Sequence, residues 1–211
     1  MKSKIYLFVI ILNLFVLNSF AQEQKMSDNE IAAFKQSVNI VSKKIKTLST
    51  DFVQYKHLDF LSKDIETSGK MIFKEPNLLQ WQYKKPYNYS IVFKNNKILI
   101  NDEGKKSAVD IGNSKIFGRI NKLIVGSVSG DMFDDKEFNI SYFKSKNQNI
   151  AKFIPKDVTL KKYIKQIELT FDKEDATVVQ VKLLESSEDY TRIVLKNKVI
   201  NAKIDDSVFT N

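Results

Sequence analysis

Cysteine is absent from all 211 residues, and histidine occurs once, as His57. The chain therefore has no disulfide to brace it and cannot itself be acylated at an N-terminal thiol. The usual Cys/His metal clusters and the Cys/His and Ser/His/Asp nucleophile arrangements are removed as well, and His57 reads as a strand residue. No G-x-S-x-G, P-loop or G-x-G-x-x-G run occurs. Two carboxylate pairs, Asp134-Asp135 and Asp205-Asp206, lie in turn-like contexts next to lysines, where solvation is their ordinary fate. The sequence argues against an enzyme and calls for no catalytic residue, metal or cofactor.

Long apolar runs are also scarce. The one present, Ile5 to Leu17 broken only by Asn13, follows Lys2 and Lys4 and precedes Ser19-Phe20-Ala21. This is the layout of an export signal with small residues at the cleavage site, so residues 1–21 are expected to be removed. No other segment approaches the roughly 20 apolar residues of a membrane helix, and the mature protein is expected to be soluble in the periplasm. The remaining 190 residues, 22–211, suffice for one domain with its own core. Loss of Lys2 and Lys4 lowers the net charge from +9 to +7. The lysines are scattered as short pairs away from the aromatics, which speaks for a solvated surface and against nucleic acid; weak attraction to anionic headgroups fits better.

Glycine numbers only six, and four of them, Gly112, Gly118, Gly126 and Gly130, fall within residues 112–131. Between them Ile116, Phe117, Ile120, Leu123, Ile124 and Val128 recur at helical spacing, which predicts one or two short apolar helices with flexible joints. Such a segment reads either as a plug completing a core or as a lid that moves.

Ser27-Asp28-Asn29-Glu30 has the Ser-x-x-Glu spacing of a capping box, and a helix is predicted to start there. Ile31, Phe34, Val38, Val41, Ile45 and Leu48 then form one apolar stripe along about five turns. From Asp51 the period changes to two. Strands are predicted near 51–58, 68–75, 78–84, 89–94, 97–101, 106–111, 137–143, 150–154, 163–172, 177–185 and 189–195, with a last one at 198–203. That is about eleven, joined by turns such as Asn95-Asn96, Glu103-Gly104 and Lys196-Asn197. So long an antiparallel meander must curl, because strand twist accumulates.

The stretch Gly69 to Tyr89 writes the faces most clearly. Met71, Phe73, Leu79, Trp81 and Tyr83 alternate with Lys70, Lys74, Gln80, Gln82 and Lys84, while Pro76 and Pro86, which cannot donate to a ladder, belong in connections. The apolar side either packs a solid core or lines a hollow one.

Phe52-Val53-Gln54, then Gly69 to Lys74 followed by Pro76-Asn77-Leu78-Leu79-Gln80-Trp81, resembles the LolA family of periplasmic carriers of outer-membrane lipoproteins. The likeness continues more loosely through Ile91-Val92, Phe153-Ile154-Pro155-Lys156 and the closing Ile204-Asp205-Asp206-Ser207-Val208-Phe209, nearly the whole mature chain. It implies a mainly β (α+β) fold: an incomplete, strongly curved antiparallel β-barrel, with the N-terminal helix and a helical lid over its concave apolar face. It implies a monomeric carrier that shelters the acyl chains of outer-membrane lipoproteins. An inner-membrane lipoprotein-releasing ABC transporter would load it, and an outer-membrane acceptor is the further partner. The expected lining is Phe52, Met71, Phe73, Leu79, Trp81 and Tyr83 with lid residues Ile116, Phe117, Ile120, Leu123 and Ile124. Many family members carry an arginine directly before the proline, thought to hold the lid. This chain has Glu75 there, which leaves Arg119 as a candidate latch. The alternative reading is a lipid- or lipoprotein-sensing module of the same fold that acts through a protein partner.

Overall fold

The computed structural model describes residues 23–111 and 132–210. Its first long element is the helix α1, Asp28–Ser42, preceded by a two-residue strand β1, Gln24–Lys25. Ser27 is the N-cap: its amide and its hydroxyl both donate to the Glu30 carboxylate at 3.0 Å, and its carbonyl accepts from Ile31 at 2.9 Å. The Ser27 and Ile31 amides are thereby satisfied at the helix start. The Glu30 carboxyl also accepts from Lys144, and that bond, with the Ser27 amide next in weight, holds its pKa down at about 2.

The helix is shorter than the stripe predicts. It ends at Ser42, and Ile45 and Leu48, although buried, belong to the connection and to the next strand. Asn201 explains the stop: its side chain accepts from the Lys46 amide at 2.7 Å and donates to the Lys44 carbonyl at 2.8 Å, while the Thr47 hydroxyl donates to the Ala202 carbonyl. These bonds tie the chain to the far end of another strand and draw it out of helical geometry.

Eleven further strands follow: β2 Thr47–His57, β3 Ile65–Lys74, β4 Leu78–Lys85, β5 Tyr89–Lys94, β6 Lys97–Asp102, β7 Lys105–Asp110, β8 Phe138–Lys144, β9 Gln148–Pro155, β10 Ile164–Asp172, β11 Val178–Glu185 and β12 Tyr190–Ile200. A one-turn helix α2, Val158–Lys161, and a 3-10 turn, Asp206–Phe209, complete the described chain. The described strands form one twelve-stranded sheet in the order β1-β8-β9-β10-β11-β12-β2-β3-β4-β5-β6-β7, with every neighbour antiparallel. The sheet does not close, since β1 and β7 stand at its two edges. Two meanders, β2–β7 and β8–β12, are welded by the β12–β2 pair, which joins residues about 140 positions apart in sequence.

Asn95-Asn96 and Glu103-Gly104 are two-residue hairpin turns with positive φ at both positions, as strand twist favours. Lys196-Asn197 is not a turn. The two segments predicted at 189–195 and 198–203 are one strand, because the β12–β2 register runs on from Lys196 opposite Asp51 to Val199 opposite Ser49. Two residues, Asn197 and Lys198, therefore face one, Thr50, which is a β-bulge.

Strand alternation directs the apolar faces inward. Thr67, Gly69, Met71 and Phe73 are the buried positions of β3, and Gly69 is where the sheet is tightest. A Cβ built there would lie 1.9 Å from the Gln82 carbonyl oxygen and 2.8 Å from Cζ of Phe52, whose ring crosses the site. Glycine is required by this approach of backbone and ring.

The interior has two parts. Around the N-terminal half of α1 it is solid: Phe34 meets Phe171 edge-on at 5.0 Å, and Phe133, Phe138, Tyr142 and Phe153 fill the remaining space against β8, β9 and β10. Around the C-terminal half of α1 it is hollow.

Candidate functional site

The hollow is a cavity of about 310 Å³ walled by α1 on one side and by β2–β5 and β10–β12 on the other. Side chains from β5 (Ile91, Phe93) and from β10 (Ile164, Ile167, Leu169) line the same space, although six strand spacings separate those strands in the sheet. Laid flat, they would be about 29 Å apart at ~4.8 Å per strand. The sheet is therefore strongly curved around the cavity.

Native interiors hold few voids larger than a water molecule. At ~24 cal/mol per Å³, a volume of this size left dry and unfilled forgoes on the order of 7 kcal/mol of packing, comparable with the whole stability of a small domain. The size lies instead at the lower end of the range typical of ligand sites, roughly 300–1,000 Å³. Its size and its walls among the described residues make it the candidate site.

Its walls are almost wholly apolar. Met71, Leu79, Trp81 and Tyr83, expected from the alternation in β3 and β4, do border the cavity. Phe52 and Phe73 do not: each is 1 % exposed and stands behind the wall. Phe52 stacks on Trp81 at 4.2 Å with 27° between the ring planes and meets Tyr83 edge-on at 5.3 Å, so it holds the two aromatic walls in place. Ile116, Phe117, Ile120, Leu123 and Ile124, with the lid at 112–131 and Arg119, lie outside the described residues. Glu75, at the position of the family's arginine, is paired with Lys46 at 2.6 Å, and its amide donates to the Lys46 carbonyl at 2.8 Å.

The other half of the wall escaped the sequence reading. Val181 and Leu183 of β11, Ile193 and Leu195 of β12, and Val38 and Val41 of α1 all line the cavity. Their period-two or helical spacing marks an inward face, yet nothing local distinguishes facing a void from facing packed neighbours.

Polar groups are few and placed apart. The Tyr83 hydroxyl donates to Gln54 at 3.1 Å, and burial raises the phenol's pKa above its ordinary value. The Trp81 indole N–H is buried with no acceptor in hydrogen-bond geometry. Thr177 and Lys198 stand on the wall beside the β10–β11 turn. Such a surface can take up a long apolar chain and offers a few directed hydrogen bonds for whatever polar atoms that chain carries.

The carboxylate pairs have structural work. Asp205 caps the 3-10 turn by accepting from the Ser207 amide, Asp206 pairs with Lys74, and Asp135 pairs with Lys35 at 3.3 Å. His57 ends β2, where it stacks on Tyr190 and contacts Asp64 at 2.9 Å. No group of three or more His, Cys, Asp or Glu side chains among the described residues is placed to hold a metal ion, and no described helix is long and apolar enough to cross a membrane.

Solved structures share this architecture at very low identity. The crystal structure of MucB is 9% identical with a TM-score of 0.53, covering 88% of this chain and 64% of that one. The complex structure of Pseudomonas aeruginosa MucA/MucB gives 8% and 0.53, over 86% of this chain and 61% of that one. This chain thus spans less than two thirds of the length of those two. A LolA superfamily protein from Nitrosomonas europaea is 8% identical with a TM-score of 0.44, over 84% of this chain and 97% of that one. No curated protein matches by sequence. The model of the family described as outer membrane lipoprotein carrier protein LolA matches residues 43–211, from just after α1 through strands β2 to β12 of the curved sheet, and the chain belongs to that family.

Proposed function

We propose that this protein is a periplasmic carrier that encloses the acyl chains of outer-membrane lipoproteins in the α1-covered cavity and ferries them between the two membranes. It would be exported by residues 1–21, loaded by an inner-membrane lipoprotein-releasing ABC transporter and relieved by an outer-membrane acceptor. The observation that carries the reading is the unfilled, apolar-walled volume of about 310 Å³ in a family of lipoprotein carriers.

The energetics suit a carrier. Burying a 16-carbon chain at roughly 0.8 kcal/mol per methylene is worth on the order of 12 kcal/mol, equivalent to nanomolar binding. A carrier must also let go, so part of that gain has to be offset, and a covered empty state does so by making binding an exchange of apolar contacts.

Native mass spectrometry of the mature protein isolated from its own envelope compartment tests the proposal. An adduct of lipid or lipoprotein mass that is passed to acceptor membranes is the expected result; an adduct-free protein that also takes up no acyl lipid in vitro would sink it. The fold likeness to MucB, which forms a complex with MucA, favours a second reading: a sensor that keeps its lipid while a protein partner binds. Retention of bound lipoprotein in the transfer assay, together with partner binding, would select that reading.

A further inference from the structure

We infer that Lys198, held by Asp175 and Thr177, is a polar seat in the cavity wall that receives the carbonyl oxygen at the root of a bound acyl chain. This rests on the acyl-cavity reading above and adds to it the chemistry by which the ligand's polar end is recognised.

Lys198 is the one charged side chain among the described residues lining the cavity, and the bulge in β12 puts it there. Ile193 and Leu195 face the cavity, so unbroken alternation would next turn Asn197 inward. Instead Asn197 takes a left-handed conformation, φ 53°, and its side-chain amide donates to Asp51 at 2.9 Å, while the buried Thr50 hydroxyl donates to the Lys196 carbonyl at 2.7 Å. The extra residue passes the inward position to Lys198. Bulges that re-aim one side chain recur beside functional sites. The Lys198 stem lies along an apolar wall while its ammonium is held at the β10–β11 turn.

The seat is preformed. The Lys198 ammonium donates to Asp175 at 2.9 Å and to the Thr177 hydroxyl, which itself donates to Asp175 at 2.6 Å; the Thr177 amide donates to Asp175 as well, at 2.9 Å. The Lys198 side chain is only 17 % exposed. An ammonium has three donors, and two are engaged among the described residues; the third is assigned to the ligand. Asp175 already balances the charge, so an added anion would lie against a carboxylate; a neutral carbonyl oxygen meets no such repulsion. Lys198 lies opposite Thr50, four residues along β2 from Gln54, so the seat and the Tyr83–Gln54 pair are separate polar points roughly 13 Å apart.

A matched pair of probes tests this on the mature protein: 1-palmitoylglycerol, an ester, and 1-hexadecylglycerol, an ether without the carbonyl. Affinities are read from the fluorescence of Trp81, the single tryptophan, which borders the cavity. K198M is expected to weaken ester binding about tenfold, the size of one hydrogen bond to a charged donor, and to leave the ether unchanged. K198R, which keeps the donors, is expected to restore ester binding, and the ether serves as the control for a folded cavity. Equal loss for both probes, or loss for neither, overturns the inference. Palmitate losing more affinity than the ester would assign the seat to a carboxylate and overturn it too. Wild-type protein that binds neither glyceride brings down the acyl-cavity reading itself, and the seat with it.

Discussion

Substituting Val181 by phenylalanine separates a hollow interior from a solid one by the sign of its effect. Val181 sits on β11 between Leu169 of β10 and Ile193 of β12, and all three side chains border the cavity. In a packed core, forcing in the larger ring costs about 1–3 kcal/mol through displaced neighbours. In a cavity of about 310 Å³ the ring enters empty space. It adds about 50 Å³, which at ~24 cal/mol per Å³ recovers on the order of 1 kcal/mol. V181F is therefore expected to be about 1 kcal/mol more stable than the wild type in urea unfolding of lipid-free protein, with an unchanged denaturant dependence. The same ring takes space from the ligand, so 1-palmitoylglycerol should bind V181F several-fold more weakly. A variant destabilised by 1 kcal/mol or more would refute the reasoning, since it would mean that the wall around Val181 is already full.

Two other expectations follow from particular contacts. G69A is expected to lose about 3 kcal/mol or more in urea unfolding, because its Cβ would stand 1.9 Å from the Gln82 carbonyl oxygen, a backbone atom that cannot rotate away. F52L should not rescue it, since only the 2.8 Å contact to the ring is relieved, and full rescue would show that the ring and not the backbone sets the limit. At Glu30 the folded-state pKa is depressed to about 2, so its contribution is complete above the ordinary carboxylate value of 4.5 and disappears as pH falls through about 2. E30Q should accordingly melt below the wild type at pH 7, with the gap closing between pH 4.5 and 2; a gap that persists to pH 2 would place the effect elsewhere.

Several elements were legible because their causes are local. Ser27 and Glu30 satisfy each other across one turn, Asn95-Asn96 and Glu103-Gly104 accept positive φ, and alternation in β3 and β4 sorts Met71, Leu79, Trp81 and Tyr83 to one face. The end of α1 was not legible. Ile45 and Leu48 bury themselves in the same interior as the helix stripe, so the apolar pattern runs on after the helical hydrogen bonds have stopped. The agent that ends them, Asn201, is about 155 residues away.

What the sequence determined by itself is which side of each strand is apolar, where the tight turns fall, and that the chain has no thiol or histidine cluster to work with. Periodicity reports only that a side chain leaves water. The tertiary structure decided what it meets there: that β12 pairs with β2, that Phe52 and Phe73 stand behind the wall while Val181 and Leu183 form it, and that a bulge and not a turn at Asn197 brings Lys198 inside. Each of these depends on partners distant in sequence, and an empty volume belongs to no residue at all, only to the curvature of a sheet whose two ends never meet.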